Sequence, residues 1–274
     1  MGSIKEKIKY IKETKKLIRE AIIARGVDVP ENTTFRDYAN KIDEIPSGVD
    51  IGDYYDLTTK PNGGIRSYIT QIPMLDTSDC TSMRYMFEDC TRLTTIPQID
   101  TSKVINMDYM FDDCSSLTTI PQLYTSKVTI MSCMFYNCTS LTSIPQLDTS
   151  KVTIMQYMFY NCKLLTEIPQ LDTSKVTNIS NMFNGCSSLT TLGGFTNLGQ
   201  AYETTQSANY GDYTLRLSSC TNLTHDSLMN VINNLYDIAN KGVMPQQLVL
   251  GSTNISKLSA EEIQIATDKG FEIS

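Results

Sequence analysis

The sequence predicts an α/β repeat fold, a solenoid of stacked 24-residue coils, and three recurrences carry that reading. Cys90, Cys114, Cys138, Cys162 and Cys186 fall 24 residues apart with no insertion. Met86-Phe87 returns at the same interval as far as Met182-Phe183, and Leu93 as far as Leu189. Pro73, Pro97, Pro121, Pro145 and Pro169 mark one fixed point of each unit. A unit this small cannot bury its own apolar face, so consecutive units must stack around one elongated core. Binding is the function expected of such a stack.

Along each unit the apolar residues come mainly every third position, which suits a leucine-rich-repeat-like coil: a short strand, a turn, then a short helical segment. The strand is expected near Leu117 to Pro121, since a fixed proline sits where a strand ends. The Asp-Thr-Ser beginning at Asp100, Asp148 and Asp172 should turn the chain through side-chain to backbone bonds and cap the helical segment after it.

The flanks read differently. Ile4, Ile8, Ile11, Lys15, Ile18 and Ile22 alternate steps of four and three within a helix over 3–25, the seam of a short coiled coil. Isoleucine at both seam positions favours three strands or four over two, so a homo-oligomer, a trimer, is expected. An intrachain hairpin with a second helix near Phe35, Tyr38, Ile42 and Ile45 is the alternative. Pro46-Ser47-Gly48 ends this segment, and Pro61-Asn62-Gly63-Gly64 marks a turn-rich connector. After Leu192 the strict period stops. Leu215 to Leu223 and Leu248 to Ile255 keep strand spacing; helices are expected from His225 to Asn240 and, behind a Ser259/Glu262 capping box, up to Lys269. Phe271 to Ile273 reads as a last strand. The expected organisation is therefore an attachment segment 1–47, a connector and N-terminal cap 48–70, the solenoid 71–192, and a more helical cap 193–274, with a loop over 193–213.

The chain of 274 residues has a net charge of −7, unevenly spread. Residues 1–25 hold eight Lys or Arg against three Glu, a local +5 that leaves −12 for the rest. An acidic body argues against nucleic acid as its partner. The first 20 residues build no apolar stretch of signal-peptide length, and no stretch suits membrane insertion, so synthesis in a cytosol without the usual export is expected.

Residues 172–189, Asp-Thr-Ser-Lys-Val-Thr-Asn-Ile-Ser-Asn-Met-Phe-Asn-Gly-Cys-Ser-Ser-Leu, resemble the repeat of the BspA-type bacterial surface leucine-rich-repeat family, DTSxVTxMxxMFxxCxxL. That resemblance covers about 120 residues and implies a host-facing, adhesin-like binding role. Family members usually carry a signal peptide, and this chain departs from them there. Ala21 to Ile45 is similar to segments near the start of bacteriophage tail, fibre and other virion proteins, and Leu248 to Ser274 to the C-termini of gut-phage and gut-bacterial repeat proteins. Those likenesses, with the missing signal, imply a head or tail fibre: a virion protein bound to other virion proteins and displaying the solenoid to a host-surface glycan or protein.

Chemistry is sparse. The five columnar cysteines lie on the inward course set by Met and Phe; adjacent coils, about 4.8 Å apart, are near enough for disulfides, yet a reducing cytosol favours buried free thiols. With no Cys-x-x-Cys pair and His225 as the sole histidine, neither a metal site nor a catalytic constellation is expected, and no cofactor. Lys103, Lys127, Lys151 and Lys175 form a column read as neutralised by Asp100, Asp148 and Asp172. Thr94 and Gln98 begin flat polar columns. The candidate binding residues are the tyrosines that vary around Met-Phe, Tyr85, Tyr109, Tyr136, Tyr157 and Tyr160, with Tyr124 where the other copies carry Asp. Their alternative is simple packing along the outer face.

Overall fold

The computed structural model describes residues 19–20, 70, 72, 77–201 and 214–274. The isoleucine seam, the second helix near Phe35 and the connector over 48–70 lie almost wholly outside them; Arg19 and Glu20 are helical, inside the stretch where the seam predicts a helix.

The solenoid is built by register rather than by long strands. Parallel bridges join Ser82 to Asn106, Ile130, Ile154 and Asn178 in turn, so each chain position meets the residue one repeat further on. On this face backbone N–H groups donate both ways, Met83 forward to the Asn106 carbonyl at 2.9 Å and Ile105 back to the Thr81 carbonyl at 2.8 Å, and on another face Thr118 donates back to the Thr94 carbonyl at 3.0 Å. Regular strands appear only where two coils align over two residues. Strand β1 (Glu167–Ile168) pairs with β3 (Thr191–Leu192), and β2 (Leu171–Asp172) with β4 (Phe195–Thr196), all parallel. Strand β1 stops at the residue before Pro169, as the missing proline donor requires. The β2 and β4 pairing carries the repeat register past Leu192 to Thr196, into the stretch expected to be loop.

Burial fills the inside. Phe87, Phe111, Phe135, Phe159 and Phe183 form one column, with ring centroids 5.4 to 5.7 Å apart between neighbours. Met, Leu and Cys columns pack beside it, and Phe195, tilted at 46°, closes the stack over Phe183. Each buried aromatic contributes roughly 1.5–3 kcal/mol by leaving water, and the column makes that gain continuous from coil to coil.

The expected helical segment in each coil is absent among the described residues. Successive turns run through Met-Phe instead, closed by bonds such as Met86 N–H to the Met83 carbonyl and Cys90 N–H to the Phe87 carbonyl, both 3.2 Å. Two residues per coil are left-handed, for example Tyr85 at φ 61° and Asp89 at φ 60°. A right-handed helix excludes that backbone, and the left-handed residues turn alternate N–H groups toward the next coil. The Asp-Thr-Ser turn itself is as expected: Asp100, Asp148 and Asp172 accept from the N–H of the serine two residues on, at 2.9 to 3.1 Å. Its threonine, however, points inward. The Thr149 hydroxyl donates to the Asp172 carbonyl at 3.0 Å and accepts from the Asp172 N–H at 2.7 Å, stapling two coils.

The C-terminal part is a three-stranded parallel sheet, β5 (Leu215–Arg216), β6 (Gln246–Val249) and β7 (Phe271–Ile273), with Leu215, Leu248 and Ile273 in register. Helix α1 (His225–Asn233) begins at Thr224, whose side chain accepts from the Ser227 N–H, and it ends well short of Asn240. The second expected strand runs only to Val249; from there the chain forms the short helix α2 (Gly251–Ile255). Asn254 explains the turn. Fully buried, its amide donates to the carbonyls of Leu217, Cys220 and Leu250 at 3.0 to 3.3 Å. Helix α3 (Ala260–Asp268) carries the Ser259/Glu262 capping box, and Gly270, at φ 89°, turns the chain into β7. Cys220 continues the cysteine column by donating to the Phe183 carbonyl at 3.4 Å, so this part caps the same core.

Candidate functional site

Every third-position pattern leaves one outer face beside Met-Phe, and the structure gathers five of the six candidate tyrosines there. Tyr85, Tyr109 and Tyr157 share one column with Cys133 and Asn181; Tyr136 and Tyr160 share the adjacent column with Glu88, Asp112 and Asn184. The Tyr85 and Tyr109 rings lie 5.1 Å apart at 30°. Tyr136 and Tyr160 stack nearly parallel at 4.7 Å, and Tyr157 sits edge-on to Tyr136 at 6.2 Å and tilted against Tyr160 at 5.7 Å. All five are partly exposed. Tyr124 stands apart, 59% exposed on the Asp-Thr-Ser turn, where its backbone N–H donates to the Thr101 hydroxyl.

Backbone geometry makes this arrangement costly. Tyr85, Tyr109, Cys133 and Tyr157 all have φ between 52° and 61°, a conformation that asparagine enters readily and tyrosine does not. Asn181 occupies the same column at φ 55°.

Three residues missed by the sequence reading complete the face. Arg84 lays its guanidinium over the Tyr85 ring at 4.5 Å, donates to the Tyr85 hydroxyl at 2.8 Å and pairs with Asp108 at 3.1 Å. Cys133 fills the gap between Tyr109 and Tyr157 and lies beside the Tyr109 hydroxyl. Burial, then the nearby Asp112 and Asp108, push its thiol up to about 11. Burial likewise raises Asp108, against the opposing pull of Arg84. A signal for these residues was present: Cys133 interrupts a column of tyrosines, and Arg84 and Asp108 place opposite charges in successive copies of a position that is otherwise Ser132, Gln156 and Ser180.

The other outer columns are engaged with their own chain. The Gln98, Gln122 and Gln146 amides each donate to the backbone carbonyl of the next glutamine at 2.8 Å. Thr118, Thr142, Thr166 and Thr190 donate to the threonine carbonyl one coil back. In the lysine column Lys103 pairs with Asp79 at 2.7 Å rather than with Asp100. Asp100, Asp148 and Asp172 are held by the serine turns instead. His225 bonds Glu262 at 2.9 Å, tying the start of α1 to the start of α3. Among the described residues no group of three or more His, Cys, Asp or Glu is placed to hold a metal ion, and no helix is long and apolar enough to cross a membrane.

A repeating core of stacked Phe, Met, Leu and Cys with coil-to-coil hydrogen bonds defines a leucine-rich-repeat-like solenoid. A family profile described as "Mycoplasma protein of unknown function, DUF285" matches residues 63–165 and 141–210, more than half of the chain. The chain belongs to that family. Among solved structures, a leucine-rich repeat protein of T. pallidum is similar at 18% identity and a TM-score of 0.44, over 76% of this chain and 82% of that one. No curated protein sequence matches.

Proposed function

We propose that this chain is a non-enzymatic binding protein of the bacterial cell surface, of adhesin type, and that the tyrosine face beside Met-Phe is its contact surface for a host-surface ligand. The observation that carries the reading is the left-handed column. Tyr85, Tyr109 and Tyr157 occupy a backbone that costs roughly 1–2 kcal/mol per residue, at a position where Asn181 shows a cheaper side chain fits. Strain held at clustered, partly exposed aromatics is the pattern of a functional surface. Family membership and the BspA-type resemblance support a surface protein over a virion appendage. Attachment and trimerisation through residues 1–47 are assigned on the Ile4 to Ile22 seam.

The test is binding of the full chain to immobilised host-cell surface proteins and to a glycan array, beside Tyr157→Asn and Tyr136→Ala/Tyr160→Ala. Asparagine is native to this column, so Tyr157→Asn should fold with an unfolding midpoint near the parent's while binding falls at least tenfold. Equal binding by parent and both variants overturns the assignment of this face.

A further inference from the structure

Resting on the tyrosine face as the contact surface, we infer the chemistry of its partner: a cationic polypeptide segment whose arginine or lysine side chains seat between the tyrosines and the carboxylates at the N-terminal end of the face. Three observations lead there. The first is a gradient of charge. Residues 84–92 and 108–116 hold five carboxylates against two guanidinium groups, a net −3, whereas the corresponding stretches 132–140 and 180–188 are uncharged and 156–164 carries one lysine. Glu88 and Asp108 are buried, so the aromatic cluster ends in an acidic strip of the partly exposed Asp89, Asp112 and Asp113, and a ligand lying along the coil axis meets both.

The second observation is that the protein already shows how a guanidinium sits on this face. Arg84 uses one tyrosine ring, one tyrosine hydroxyl and one carboxylate from the next coil, at 4.5, 2.8 and 3.1 Å. A cation over an aromatic ring gains roughly 0.5–1 kcal/mol at an exposed site. Asp108 is nine-tenths buried, and its second carboxylate oxygen has no hydrogen-bond partner. Asp113 accepts from the Asn137 amide at 2.8 Å, which aligns it with the Tyr136 coil. The negative field reaches the aromatic groups: Asp112 and Asp113 add to the burial that raises Tyr136, and Asp108 to the causes that raise Tyr109.

The third concerns ring orientation. Tyr136 and Tyr160, parallel and 4.7 Å apart, each cover one face of the other, and Tyr157 lies at 62° to Tyr136 and 60° to Tyr160. This stacking closes one face of each ring to a sugar, while the phenol hydroxyls remain to meet N–H donors, as the Tyr85 hydroxyl meets Arg84 at 2.8 Å. Anionic glycans are opposed by the acidic strip as well.

The probe is an oligoarginine peptide, titrated into the full-length protein, with a neutral oligosaccharide and an oligoglutamate peptide as comparators. The diagnostic variant is Asp89→Asn/Asp113→Asn, because asparagine is native to that column at Asn137 and Asn161 with φ of 54° and 60°, so the fold is retained. Oligoarginine should bind, weaken steeply as salt shortens the screening length below about 8 Å, and lose at least fivefold in the variant, while oligoglutamate fails to bind. Oligoarginine binding unchanged in the variant, or a parent that takes the neutral oligosaccharide and not oligoarginine, overturns the inference. If Tyr157→Asn still abolishes capture of host proteins while Asp89→Asn/Asp113→Asn does not, the contact surface stands and its cationic partner falls.

Discussion

The thiol of Cys138 donates a hydrogen bond to the carbonyl of Phe111, 3.1 Å away in the preceding coil. Cys114, Cys162 and Cys186 do the same to Phe87, Phe135 and Phe159 at 3.0 Å. Each of these phenylalanine carbonyls already accepts from the N–H three residues on, and the small, weakly polar thiol from the next coil supplies its second donor without bringing a further strongly polar group into the core. Burial holds all four thiols well above their ordinary pKa, which suppresses the thiolate that oxidation and alkylation require.

The cysteine column should therefore be chemically silent in the folded protein. An alkylating reagent at mildly alkaline pH should modify Cys80, the one partly exposed thiol, well before the seven buried ones. After denaturation without reductant, intact mass should show eight labels, matching the eight cysteines of the chain. Two or more disulfides would contradict the bonding described.

Phe135 is stacked on both sides, 5.5 Å from Phe111 and 5.5 Å from Phe159, and is fully buried. Phe135→Ala should cost roughly 3–5 kcal/mol, since neighbouring coils held by their own hydrogen bonds cannot collapse into the gap. Urea unfolding of parent and variant measures it; coincident midpoints would remove the column from the core.

The buried columns were legible in the sequence because a fixed period leaves no freedom about which residues share a face: Phe, Met, Leu and Cys at constant offsets must all point one way. The α3 capping box was legible for the same reason, as Ser259 and Glu262 need only local spacing. What the sequence hid is backbone sign. Tyr85 and Asp89 look like ordinary members of a helical turn until their left-handed φ is known, and tyrosine gives no hint of it. Partner choice was hidden too: Asp100 lies three residues before Lys103, but the serine turn takes that carboxylate and Asp79, a coil away, takes the lysine. The bond of Thr149 to Asp172 was hidden as well, because it spans a whole coil.

The link between α1 and α3 should respond to pH from both sides. The hydrogen bond to Glu262, and then that to Asp226, holds His225 above its ordinary 6.5, so the contribution of its charged form is complete below 6.5 and is lost as pH rises through the raised value. The Ser259 N–H, then His225, holds Glu262 below its ordinary 4.5, so its contribution is present above 4.5 and is lost as pH falls through the lowered value. The window of full contribution lies between 4.5 and 6.5. A histidine NMR titration should give His225 a pKa above 6.5 in the parent and a lower one in Glu262→Gln, which keeps the cap on Ser259. An unchanged titration would dissolve the link.

Thr125 and Thr149 occupy the same position of successive coils and are equally buried, yet their hydroxyls differ. Thr149 bonds both the N–H and the carbonyl of Asp172, whereas the Thr125 hydroxyl has no hydrogen-bond partner. Valine keeps the shape of threonine and removes the hydroxyl. Thr149→Val strands a buried donor and acceptor, a loss of about 1–3 kcal/mol; Thr125→Val removes a polar atom that was desolvated without return and should be neutral or stabilising. Parallel urea melts of the two variants give the comparison with composition held constant. Equal destabilisation by both would show that the threonine column acts through shape alone, and that the coil-to-coil staple at Asp172 contributes nothing to stability.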